Sequence, residues 1–209
     1  MRKLTPELLD HLHHDDPGAL RSRRDLRRIN VFMGNERWIS SMIPGGSKQI
    51  TEIGAGGGHL LSRVARQNPG VAITAYDLAP RPAELPAGLE WIQGDLFSQP
   101  PPLSGGVLIA NLFLHHFTDA QLGEMGKWMG SFETIIINEP LRAALPLLMG
   151  KLASPFFHPI TRHDVRVSIE AGFVPGELAG ILGLGEIGFT VSETTDWRGG
   201  IRLHCVKSR

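Results

Sequence analysis

The chain has 209 residues, an ordinary apolar share of 42%, and 21 basic residues balanced by 21 acidic ones. That length suits one α/β domain with a small appendage and supplies a full core. The balance implies no global pull toward nucleic acid or membrane, and the lone cysteine, Cys205, excludes a disulfide framework. No apolar run is long enough to cross a bilayer. Residues 1–14 are charged and lack a signal-peptide core, so a reducing cytoplasm is the expected setting.

Residues 5–14 are expected to form a short helix, with Thr5 as N-cap and Pro6 at the first helical position. Asp15-Asp16-Pro17-Gly18 breaks it. A second helix is expected over residues 19–33, where Leu20, Leu26, Ile29 and Phe32 share one broad face. Arg21, Arg23, Arg24, Arg27 and Arg28 crowd the rest. Such a cluster reads either as a solvated face partly neutralised by Asp25 or as a patch for anions or nucleic acid. Gly34 and Gly45-Gly46 bound a further helical piece around Trp38.

Residues 48–53 read as a strand, residues 59–67 as a helix burying Leu60, Leu61 and Val64, and Gly54-Ala55-Gly56-Gly57-Gly58 as the turn between them. Glycine lets the backbone turn sharply and lets a ligand lie against it. Strand, glycine turn and helix start are how open α/β sheets make a nucleotide site. The dinucleotide fingerprint G-x-G-x-x-G would need its third glycine at position 59, which holds His59. The spacing instead fits acid-x-G-x-G-x-G, with Glu52, Gly54, Gly56 and Gly58.

A second strand over residues 71–76 ends at Asp77, where an acid about twenty residues past the glycines can accept from ribose hydroxyls. Leu78 follows, and Pro80, Pro82 and Pro86 leave little room for a crossover helix. A third strand over residues 89–93 leads into Gly94-Asp95-Leu96-Phe97, where Asp95 either opens a turn or faces a ligand. Gln99-Pro100-Pro101-Pro102 forbids a helix and points to an extended surface loop.

A fourth strand over residues 106–110 precedes Asn111-Leu112-Phe113-Leu114-His115-His116-Phe117, at a strand end where ligands sit in such sheets. His115 reads as a structural histidine bonded to backbone; His116 is open to either a structural or a chemical role. A helix over residues 118–129, capped by Thr118, leads to a fifth strand over residues 132–138. Glu139 and Arg142 then either face substrate or pair with each other. Residues 141–153 form an apolar segment broken at Pro146, one wall of a cavity, and residues 154–159 are a candidate lid. Thr161-Arg162-His163-Asp164 opens a segment running to Phe173, and Pro175-Gly176-Glu177-Leu178 starts a helix to Leu182. Strands over residues 186–197 and 201–206, turning at Gly199-Gly200, place Cys205 in an apolar setting that disfavours a reactive thiol.

Glu52, Gly54, Gly56 and Gly58 together with Asp77 and Gly94-Asp95-Leu96 resemble the cofactor motifs of the class I S-adenosylmethionine-dependent methyltransferases. Residues 48–207 follow the order of that superfamily. The resemblance implies a Rossmann-like, doubly wound α/β fold. Its seven-stranded, mostly parallel sheet would carry a C-terminal antiparallel hairpin and an N-terminal helical extension. Residues 1–46 would be a helical cap and residues 47–209 the cofactor domain. It also implies S-adenosylmethionine contacts from Glu52, Gly54, Ala55, Gly56, Gly58, Asp77, Leu78, Gly94, Asp95, Leu96 and Asn111, with Arg27 or Asn30 at the methionine carboxylate.

The chain departs from the superfamily in lacking a crossover helix before the fourth strand. It also lacks the proline that follows Asn111 in amino-methyltransferases, which argues against attack by an amide or exocyclic amine. Leu114-His115-His116-Phe117 resembles small-molecule methyltransferases of the quinone-biosynthesis type. Asp25-Leu26-Arg27-Arg28-Ile29-Asn30 with Gly34, and Arg162-His163-Asp164 with Ser168-Ile169, look like a bacterial branch encoded beside type III polyketide synthases. That implies O-methylation of a phenolic, quinone-like or polyketide hydroxyl. His116 or His163 would take the proton, Asp164 would orient one of them, and no metal is implied. A small-molecule substrate is expected, nucleic acid is not, and a homodimer is among the expected assemblies. The rival readings are a nicotinamide-dependent oxidoreductase, a cofactor-binding partner subunit without activity, and an RNA-binding methyltransferase.

Overall fold

The computed structural model describes residues 1–13, 15–99 and 105–208. Its centre is a seven-stranded sheet in the order β3-β2-β1-β4-β5-β7-β6. The strands are β1 (Gln49–Ile53), β2 (Ala72–Asp77), β3 (Glu90–Gln93), β4 (Val107–Asn111), β5 (Thr134–Pro140), β6 (Phe189–Asp196) and β7 (Gly200–Lys207). Strands β1 to β5 pair in parallel, and β7 runs antiparallel to both of its neighbours, β5 and β6. The order reverses between β1 and β4, which places their two following turns side by side at the switch point, where open sheets bind ligands.

Helices cover both faces: α1 (Pro17–Met33), α2 (Asn35–Met42), α3 (His59–Gln67), α4 (Asp119–Met129), α5 (Ala144–Ala153), α6 (Pro159–Ala171) and α7 (Glu177–Ile181). Strands buried on both faces need unbroken apolar runs, and Ile135-Ile136-Ile137 of β5 is one. Ile136 joins Ile50 and Ile109 against Leu60, Leu61 and Val64 of α3, while Ile135 and Ile137 face Leu122, Met125 and Met129 of α4. No helix among the described residues is long and apolar enough to cross a membrane.

The N-terminal segment departs from the expected helix over residues 5–14; among its described residues only Leu9–His11 form a 3-10 turn. Tertiary bonds take the backbone groups a helix would use. Lys3 N–H donates to the Glu170 carbonyl, and Leu8 and Leu9 N–H donate to the Asp164 carboxylate. Arg2, its side chain 3% exposed, ties the segment to the Ala171, His115 and Phe117 carbonyls and to Asp119.

Helix α1 begins earlier than expected because Asp16 caps it, accepting from Gly18 and Ala19 N–H, with Pro17 in the first turn. Pro146 does not break α5. It sits in the helix's first turn, where its missing N–H costs nothing. Residues 154–159 supply a 3-10 turn, Ser154–Phe156, and the first residue of α6. No helix lies between β2 and β3, as the prolines require, while the run Pro100-Pro101-Pro102 lies outside the described residues.

The sheet also anchors the N-terminal helices. Arg198 and Arg202 donate to the Phe32 and Met33 carbonyls, cations at the helix end where the dipole favours them. The end of α1 therefore rests on the carboxyl end of the sheet, beside the two turns.

Candidate active site

Three glycines after β1 adopt left-handed φ: 69° at Gly54, 54° at Gly56 and 69° at Gly58. Their reasons differ. A Cβ on Gly54 would lie 2.1 Å from the Phe113 ring, and one on Gly58 would lie 2.4 Å from Leu85. A Cβ on Gly56 would meet nothing within 4 Å. Two make room for the protein's own side chains, and Gly56 alone borders open space.

Asp77 closes the turn. Its carboxylate accepts from Gly56 N–H at 2.6 Å and from Ala79 N–H at 2.7 Å. Glu52 lies behind it, 2% exposed, and its Oε2 has no hydrogen-bond partner within the chain. Burial, then the nearby Asp77 and Glu36 carboxylates, push its pKa well above the usual carboxylate range. An unpaired buried carboxyl is costly, and such groups are normally satisfied.

Asp95 opens a 3-10 turn, Leu96–Ser98, accepting from Phe97 N–H at 3.1 Å and from the Ser98 hydroxyl at 3.4 Å. Gly94 N–H donates to the Asp77 carbonyl, which places the two acids at the tips of adjacent strands. Ala55 is buried, Leu96 packs on the core, and Leu78 is 73% exposed.

Beyond β4, Asn111 Oδ1 accepts from Asn138 Nδ2 at 2.9 Å. Asn138 Oδ1 is buried and unpaired, and it faces Gly200, whose other neighbours are Arg202 and Met33 at the end of α1. Leu112 follows at φ 53°, the one non-glycine residue at positive φ among those described. Backbone strain of this kind is kept only where the surroundings enforce it. Here Leu112 N–H is held by the Asn138 carbonyl.

Glu139 organises the next turn. Fully buried, it accepts from Phe113, Leu114 and His115 N–H at 2.9, 2.8 and 3.3 Å. It therefore neither faces solvent nor pairs with Arg142, which binds both oxygens of Glu177 at 2.7 Å. His115 Nδ1 lies 2.7 Å from Glu139 Oε2, and Nε2 lies 3.4 Å from Glu7 Oε1. His115 is thus bonded to carboxylates through its ring, not to backbone as expected. Burial opposes its charge, but Glu139 and then Glu7 outweigh that and raise its pKa to about 9. For Glu7, burial pulls upward, and the hydrogen bond from His115 with the charges around it holds the carboxyl below its usual value. The Ser168 hydroxyl also donates to Glu7.

His116 stacks at 4.3 Å on His115, and its Nδ1 lies 3.8 Å from Asp10 Oδ2. Burial and the charge of His115 hold its pKa below the usual histidine value. It lines a cavity of about 420 Å³ with Glu7, Asp10, His115, Val167 and Ser168. Glu7, His115 and His116 place ligating atoms within 4.8 Å of one another, a grouping of the kind that holds a metal; here carboxylates already engage both His115 nitrogens.

The structure brings His163 and Asp164 together, Nδ1 to Oδ1 at 3.0 Å, but the same carboxylate also secures Leu8 and Leu9. His163 is not among the residues lining the cavity of His116. Arg27 is exposed and Asn30 half-buried, while α1 turns Ala19, Ser22 and Asp25 inward. Asp25 accepts from His158 N–H and the Thr161 hydroxyl. Sequence reasoning missed Glu7, and it singled out Glu139 without its role as acceptor for the turn after β4. Nothing local signals Glu7, 108 residues from its partner.

No family model matches the chain, and no curated protein matches it. Solved structures share its fold. The plantazolicin methyltransferase BpumL in complex with SAH superimposes at a TM-score of 0.73, over 93% of this chain and 92% of that one, at 14% identity. Human N-acetylserotonin methyltransferase in complex with SAM gives 0.64 over 96% of this chain, at 16% identity. The pyocyanin biosynthetic protein PhzM gives 0.62 over 97%, at 15% identity. The chain spans only 61% and 62% of the latter two. The expected architecture is confirmed: this is the Rossmann-like methyltransferase fold with its C-terminal antiparallel hairpin.

Proposed function

We propose that the protein is an S-adenosylmethionine-dependent methyltransferase acting on a hydroxyl of a small molecule. The observation that carries this reading is the unpaired, buried Glu52 carboxyl beside the open face of Gly56. A ligand bringing an ammonium group would supply the partner that Glu52 lacks. The groups around it fit the rest of that cofactor: Asp77 to accept from the ribose hydroxyls, Asp95 and Leu96 with Gly94 and Leu78 for the adenine, Asn111 and Ala55 along the turn. Arg27 or Asn30 would meet the methionine carboxylate. Bound there, the cofactor supplies a methyl carbon already activated by its sulfonium.

The chain's own contribution is position. Aligned reactants gain about 7–11 kcal/mol over free encounter. A hydroxyl acceptor must also lose a proton, and His116 is the residue best furnished for that. It lines the cavity, and its lowered pKa keeps the ring neutral and able to accept near pH 7. His115 is charged at that pH and serves as a platform. His163, oriented by Asp164, is the second candidate for the proton.

Calorimetry tests the reading. S-adenosylmethionine should bind and NAD should not, and Glu52→Ala should weaken binding by roughly 2–5 kcal/mol, as loss of a buried charge partner does. NAD binding, or unchanged affinity in Glu52→Ala, overturns it. With an accepted phenol in hand, His116→Ala should lower turnover at neutral pH while leaving cofactor affinity intact.

A further inference from the structure

The exposed large hydrophobic side chains are not scattered. Leu145, Leu148, Leu152 and Phe156 form one outward stripe along α5 and the turn after it, 51%, 52%, 68% and 84% exposed. On α1, Leu20, Val31 and Phe32 are exposed as well. The two helices belong to one layer, because both pack on α6. Near both ends they are linked through intervening segments. Phe32 of α1 packs edge-on against the exposed Trp197 at 6.0 Å, and Gly199 of that same turn abuts Pro146 of α5. At the other end, Gly18 of α1 abuts His158 and Ile160, just past Phe156.

Charge on this layer has one sign. Arg21, Arg24 and Arg28 are exposed on α1, and Lys151 on α5. The acid of α1, Asp25, is turned inward against α6, where it also lies 3.8 Å from Arg28, and α5 has no acid. A chain with no net charge thus presents a cationic, apolar face.

Size and sign select the occupant. Seventeen residues of α1 span about 25 Å and ten of α5 about 15 Å, too broad for one small molecule. A two-fold contact with a second copy would set arginine against arginine. Nucleic acid would answer the arginines but leave Leu145, Leu148 and Leu152 without a function, since its charged backbone offers aliphatic side chains no apolar partner. A bilayer surface with anionic lipids answers both: apolar side chains enter the headgroup boundary and arginines reach the phosphates.

We propose that the α1–α5 layer docks on membranes containing anionic lipid, turning the carboxyl end of the sheet toward the bilayer. This rests on the surface alone and stands apart from the methyl-transfer reading, so either can fail without the other. The test is sedimentation of the full chain with vesicles of phosphatidylcholine alone and of phosphatidylcholine mixed with phosphatidylglycerol. The protein should pellet with the mixture and be released by salt. Substituting Leu148→Ser, Leu152→Ser and Phe156→Ser together, or Arg21→Glu, Arg24→Glu and Arg28→Glu together, should lower vesicle affinity about tenfold or more. Circular dichroism should be unchanged, because these side chains are already in water. Absence of pelleting, or pelleting of either variant equal to that of the unmodified protein, overturns the proposal. So does a dimer in light scattering that Leu152→Asp makes monomeric, or RNA binding that only the arginine variant abolishes.

Discussion

The turn after β1 and the turn after β4 lie side by side at the switch point of the sheet, and they are held by opposite means. The first depends on glycine conformation and leaves a carboxyl, Glu52, buried and unpaired. The second depends on a carboxylate in the same low-dielectric setting, Glu139, which accepts from three backbone N–H groups and faces a charged imidazole. The contrast separates a group whose partner the chain does not supply from one that builds the turn beside it. In the second case the protein supplies every partner; in the first it withholds one.

The sharpest way to break this comparison is Glu139→Ala. It leaves three N–H groups and a buried imidazolium without their acceptor, so unfolding by urea should show a loss of roughly 3–5 kcal/mol. A loss below about 1 kcal/mol would mean the turn after β4 does not depend on its acid.

The pH dependence of stability sharpens it further. His115 has a folded pKa of about 9 against 6.5 for a free histidine. Its contribution is therefore complete below the unfolded value and fades as pH rises through 9. The drop over that window is on the order of 3 kcal/mol, and His115→Gln should flatten it in thermal melts. Glu52 has an effect of the same sign, beginning at lower pH. A carboxyl whose folded pKa is raised makes the fold less stable as pH climbs from the usual carboxylate range toward the raised value.

Glycine substitutions test the first turn. Gly54→Ala meets both a positive φ and the Phe113 ring, whereas Gly56→Ala meets only the positive φ, a strain of about 1–2 kcal/mol. Urea midpoints should fall further for Gly54→Ala, while cofactor titration should suffer in Gly56→Ala although the fold survives.

Smaller still is the stability effect of Glu52→Gln. With no native partner lost, the change should stay within about 1 kcal/mol or favour the fold, in contrast to the large effect on cofactor affinity. The smallest expected effect is at Cys205. Burial, with the nearby Glu193 charge, pushes its thiol up to about 12, so a thiol reagent at neutral pH should label it only after unfolding.

Much of the fold was open to reading because its signals are local. Val71 to Asp77, the glycine turn and the helix from His59 each carry their pattern within a few residues, and their bounds came within one or two positions. The capping of α4 by Thr118 was equally plain. Residues 5–14 misled for the converse reason. Their helix-start signals are genuine, but Asp164, Glu170 and Ala171 compete for the same backbone and side-chain groups and win.

The sequence by itself determined the order of strands and helices, the tight turn after β1, and the acids Glu52, Asp77 and Asp95 at strand ends. Those features follow from periodicity, from glycine's access to positive φ, and from spacing along the chain. Only the tertiary structure decided that Gly54 and Gly58 yield space to Phe113 and Leu85, and that His115 lies between carboxylates of residues 7 and 139. It also decided that α1 and α5, with their exposed cations and leucines, pack on the same helix, α6. Contacts between residues far apart in the chain depend on the packing of whole elements, and no short stretch of sequence contains that information.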